Sequence, residues 1–114
     1  MLVGAVVVGV LLLAVAATVP VWQVRARRRA FEGAQAAARS AVDRLGFCVE
    51  TVDPAGDAVA ASLLADAEER WHTAGSVLAD ARYPGECAVA ERVAGEGLAH
   101  VAAACDRLGV AAPR

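Results

Sequence analysis

A chain of 114 residues with a formal net charge of −2 has room for one small domain and not two. The charge is divided: up to Phe31 it carries four Arg and no acid, whereas residues 32–114 carry seven Arg against thirteen Asp and Glu, a balance of −6. An acidic body disfavours nucleic acid, because phosphate neutralisation needs a basic face, and no nucleic-acid partner is expected. Ala supplies about a quarter of the residues, every basic side chain is Arg, and Lys, Ile and Asn are missing, the mark of a high-GC genome.

Leu2 to Trp22 is an uncharged, almost wholly apolar run, followed at once by Arg25, Arg27, Arg28 and Arg29. About 20 such residues at about 1.5 Å each cross a hydrocarbon layer of roughly 30 Å. The expectation is a single transmembrane helix over residues 1–24. A cleavable signal needs a basic segment before its apolar core, and only Met1 precedes this run. Ala14-Val15-Ala16 and Val15-Ala16-Ala17 resemble small-residue cleavage sites and keep processing as an alternative. Pro20 falls in the last turn, where interfacial water can satisfy the freed carbonyl, and Trp22 suits headgroup depth. Ala5 and Gly9 form a small-xxx-small pair of the kind that supports helix association. Arginines after the span and none before it are retained on the cytoplasmic side, so the N-terminus is expected outside and residues 25–114 in the cytoplasm of a single-pass plasma-membrane protein. The same cluster, with Trp22, suits anionic lipid headgroups.

From Arg25 onward, Ala and Leu recur at helical spacing and strand-type alternation is missing. The fold class expected is all-α, the transmembrane helix continuing into an antiparallel three-helix bundle over residues 25–114, with helices at about 24–45, 57–82 and 86–108. Phe31, Ala34, Ala38, Ala41 and Leu45 step by 3 and 4 along the first helix, which Gly46 should end. Residues 46–56, with Asp53-Pro54-Ala55-Gly56, read as a turn-rich connection. Asp57 should cap the second helix, whose stripe is Ala60, Leu64, Ala67, Trp71, Ala74, Leu78 and Ala81. Tyr83-Pro84-Gly85-Glu86 breaks the chain. Cys87, Ala90, Ala94, Gly97, Leu98, Val101, Cys105 and Leu108 line the third helix, and Gly109 should cap it. Trp71, the largest apolar group beyond the span, is expected as the buried anchor of the bundle, with a partner-facing hot spot as the alternative.

Only the three cysteines invite chemistry, and reduced thiols are the default in a cytoplasm. Cys87 and Cys105 lie five turns apart on one helix and cannot bond. In an up-down-up bundle Cys105 returns to the level of Cys48, so those two form the one possible thiol pair. Buried small hydrophobes are the simpler reading of all three. His72 and His100 follow Glu68 and Glu96 at i,i+4, the spacing of ordinary surface pairs. Asp66, Glu68 and Glu69 read as a solvated face, with Arg70 one turn after Asp66. No phosphate loop, nucleophile elbow, dinucleotide fingerprint or close Cys/His pair occurs, so no enzyme activity, cofactor or metal is expected.

The stretch from Arg25 to Leu108, with Glu69-Arg70, Gly75, Leu78, Ala81-Arg82, Cys87, Ala90-Glu91, Ala94 and Glu96-Gly97-Leu98, resembles the cytoplasmic part of small single-span actinobacterial membrane proteins of unknown function. The resemblance implies a helical hairpin and carries over no site residue. Together these readings point to a membrane-anchored helical interaction or scaffold module, contacting anionic lipid and a protein partner or a second copy of itself. The alternative is a thiol-based redox or small-ligand-binding membrane protein using Cys48 and Cys105.

Overall fold

The computed structural model describes the backbone from Leu2 and the side chains of residues 21–114. Three helices pack together: α1 (Leu2–Thr51), α2 (Ala58–Asp80) and α3 (Pro84–Leu108). At about 1.5 Å per residue α1 is about 75 Å long, roughly twice either of the others. Among the described residues, the α1 side chains that join the core with the α2–α3 hairpin begin at Phe31. Among the described residues no helix is long and apolar enough to cross a membrane. The run assigned to a span lies, through residue 20, outside the residues whose side chains are described, as do Ala5, Gly9 and Pro20.

Gly46 does not end the first helix, which continues to Thr51. A Cβ at Gly46 would stand 2.7–2.8 Å from three atoms of the Trp71 indole. The glycine is therefore a notch into which a ring from α2 fits, and it keeps helical geometry. The helix ends where Asp53-Pro54 forbids another turn: the residue before proline is pushed out of the helical region and Pro54 has no N–H to give. Asp53 Oδ1 accepts from the Ala55 amide at 2.9 Å, and Ala55 and Gly56 turn the chain with φ of 52° and 80°. The connection is thus residues 52–57, starting six residues later than the turn signals suggest.

Asp57 caps α2 as expected, accepting from the amides of Val59 and Ala60 at 2.9 and 3.0 Å. The third helix opens at Pro84 and not near Glu86, because proline fits the first helical position. Tyr83 provides no side-chain cap there, and Glu86 instead reaches back to the Arg82 amide at 3.1 Å. Gly109, at φ 69°, closes α3, and Val110 N–H returns to Cys105 O at 3.0 Å in a Schellman arrangement.

The core divides in two. The larger cluster is built on Val42, Leu45, Cys48, Leu64, Val101 and Cys105 with buried alanines between them. The smaller one holds Ala38, Cys87 and Ala90, flanked by Phe31, Ala34, Val77 and Ala81. Cys48 thus shares a core with Cys105, while Cys87 lies with the start of α1's packed stretch, as an up-down-up arrangement requires.

Candidate functional site

Every residue of the arginine collar, Arg25 to Arg29, is exposed, as is Trp22. These positions project from α1 before the hairpin begins. The tip of the hairpin reaches back to them: Arg82, Tyr83 and Pro84 meet Arg27, Arg28, Ala30 and Phe31 around a groove of about 500 Å³. Three guanidinium-bearing side chains from two elements thus share one surface depression with a phenol that is 70% exposed. The sequence marks Arg25, Arg27, Arg28, Arg29 and Trp22, but Arg82 and Tyr83 lie some 50 residues away and join them only through folding. Their sole signal is the Pro84 break, which places them at a hairpin tip.

At the opposite end of the bundle an ion pair joins two helices. Arg107 Nε donates to Asp57 Oδ1 at 2.8 Å, linking the end of α3 to the cap of α2. That contact, together with the Ala60 and Val59 amides, holds the Asp57 carboxyl below its ordinary range. Arg70 crosses from α2 to Glu96 on α3 at 3.6 Å. The i,i+4 pairs Asp66–Arg70 and Glu96–His100 are therefore not formed, because Glu96 and Arg70 find each other across the helix interface. His72 does meet Glu68, at 3.6 Å. Asp66, Glu68 and Glu69 are exposed, as a solvated face would be.

All three cysteines are buried and free. Burial pushes the Cys48 thiol up, the nearby Arg44 charge opposing and Cys105 adding to the rise. The Cys48 Sγ lies 3.9 Å from the Pro113 carbonyl, so the C-terminal tail folds over this end of the core. A thiol so placed is a weak nucleophile, since the thiolate is the reactive form.

Trp71 is partly and not fully buried, a correction to its expected place at the centre of the bundle. The indole lies in the Gly46 notch and stacks on the His72 ring, centroids 5.2 Å apart. The centre belongs to Leu45, fully buried, with Gly97 of α3 opposite; a Cβ at Gly97 would come within 2.5 Å of Leu45 Cδ2. Consecutive residues of α1 therefore make reciprocal contacts: Leu45 projects into α3 and Gly46 admits α2. Among the described residues no group of three or more His, Cys, Asp or Glu is placed to hold a metal ion. No protein-family model, curated protein or solved structure matches the chain.

Proposed function

We propose that the chain is a single-span membrane protein whose helical bundle acts as a non-catalytic interaction or scaffold module, with its N-terminus outside and residues 25–114 in the cytoplasm. The observation carrying the reading is the join within α1: a long apolar run, then a band of exposed arginines, then a stretch packed by the hairpin, all on one helix. A band of arginine immediately after an apolar run is the arrangement that membrane potential and anionic lipid retain on the cytoplasmic face. One continuous helix would transmit the anchor's position to the bundle without a hinge. Partner contact, or pairing with a second copy, is supported at the far end. Phe47, Val59 and Val110, near the ends of α1, α2 and α3, are each about half exposed or more. Apolar side chains left in water beside a capped, charge-paired terminus suit burial by another surface. Trp71, occupied by Gly46, is less suited to that role.

A fluorescent reporter that matures only in the cytoplasm, fused after Arg114, should be active, and an exported phosphatase at the same place inactive; the reverse pattern overturns the orientation. Crosslinking of the detergent-solubilised chain should trap a dimer or a partner complex, and Phe47→Ser with Val110→Ser should abolish it. A chain that stays monomeric and partner-free in mild detergent overturns the module reading. The thiol reading is tested by alkylation of the folded chain at neutral pH: rapid labelling of Cys48 and Cys105, or their oxidation to a disulfide before lysis, would replace the scaffold by a redox role.

A further inference from the structure

We infer that the groove between Arg27, Arg28 and Arg82 binds the phosphate of an anionic phospholipid headgroup and seats the α2–α3 turn on the membrane surface. The inference rests on the membrane anchoring proposed above and extends it from the collar to a built site with a contribution from the hairpin.

Charge is the first support. None of Arg27, Arg28 and Arg82 enters an ion pair among the described residues, where Arg70 and Arg107 are the only arginines that do. Three guanidiniums around one groove repel one another in the absence of an anion, and a phosphate accepting from their planar forks removes that repulsion. The acid of this turn, Glu86, already accepts from the Arg82 amide, so its carboxylate is held on the backbone. The N-terminus of α3 opens at Pro84 in the groove wall, and its dipole adds positive potential there.

Depth is the second. Arg27 and Arg28 lie five and six residues past Trp22, about 8–9 Å along the helix axis. The polar layer beyond the hydrocarbon is about 5–8 Å thick on each side. Side chains on a helix tilt toward its N-terminus, which on α1 is toward the membrane, so both guanidiniums fall at phosphate level.

The lining is the third, and it selects a lipid over a free phosphate. Tyr83, Pro84 and Phe31 give the groove an apolar wall beside its charges. An exposed tyrosine, apolar along the ring and polar at its tip, is suited to the interfacial zone, as Trp22 is on α1. With the turn so placed, the bundle touches the bilayer at two points, the emerging α1 and the hairpin tip, and cannot swivel freely about α1.

The test is amide hydrogen exchange of the full chain in lipid nanodiscs, read over residues 79–87. Exchange should slow roughly fivefold when phosphatidylglycerol is added to phosphatidylcholine, the size expected for one arginine near an anionic surface. Arg82→Gln should remove the difference while the rest of the bundle exchanges as before. Equal exchange in both lipids, with the chain incorporated, overturns the site and leaves the anchor standing. Failure of the chain to incorporate into either disc overturns the anchor reading itself. Slowing by inorganic phosphate in pure phosphatidylcholine discs, to the same degree as by the anionic lipid, overturns the lipid as occupant.

Discussion

The two ends of the bundle are built from different materials. Around Leu45, Cys48, Val101 and Cys105 the core has volume, the helix ends are capped, and Asp57 and Arg107 close the gap between α2 and α3. Around Ala38, Cys87 and Ala90 the core is made of small side chains, and the neighbouring surface is exposed arginine and tyrosine. Apolar burial contributes about 25 cal/mol per Å², so an alanine seam stabilises far less than a leucine in a matched hole. The difference teaches a division of labour. Cohesion is concentrated away from the arginine collar, and the end beside the collar keeps its charges available.

The sharpest way to break this comparison is to empty both cores. Leu45→Ala should cost about 3–4 kcal/mol in denaturant unfolding of the detergent-solubilised chain, whereas Ala38→Gly should cost only about 1 kcal/mol. Equal losses would mean that cohesion is spread evenly along the hairpin.

Glycine substitutions sharpen the same point at smaller magnitude. Gly95 and Gly46 are both mid-helix, but a Cβ at Gly95 meets nothing within 4 Å and one at Gly46 meets the Trp71 ring. Gly95→Ala should stabilise by about 0.5–1 kcal/mol through helix propensity alone. Gly46→Ala gains the same propensity but overpacks, and should lose about 1–2 kcal/mol net. A gain in both variants, read as melting temperature, would show that the indole swings out without loss.

Protonation probes the capped end alone. The Asp57 carboxyl lies below its ordinary range in the folded chain, so its contribution is complete above about pH 4, the unfolded value, and is lost as pH falls through the folded one. The Cys48 thiol is raised, so its contribution is complete below about pH 8.5 and is lost as pH rises through the folded value. Melting temperature should therefore decline on both flanks. Arg107→Gln should flatten the acid flank and leave the alkaline one; an unchanged acid flank would move the acid sensitivity elsewhere.

The smallest effect is expected at the other end. Arg82→Gln should change unfolding free energy by less than about 0.5 kcal/mol, because the side chain is exposed and unpaired among the described residues. A larger loss would make Arg82 a structural residue and weaken the case for a lipid-binding groove.

Periodicity determined that three helices form and nearly all of their buried faces, while residue type at the helix ends determined the capping of α2 by Asp57 and of α3 by Gly109. Both kinds of information are local. Apolar length followed by arginine likewise suffices to propose the anchor. Tertiary structure decided what depends on a neighbour. As a lone glycine, Gly46 reads as a helix end, and only the indole of a second helix makes it a notch. Glu96 prefers Arg70 to His100 because the helix interface brings a permanent charge across. Arg82 joins Arg27 and Arg28 because short connections force α2 to run back along α1 for its whole length. Sequence spacing describes a single helix well, since its geometry is set by backbone hydrogen bonds; contacts between helices depend on side-chain shape and loop length together, which no local pattern contains.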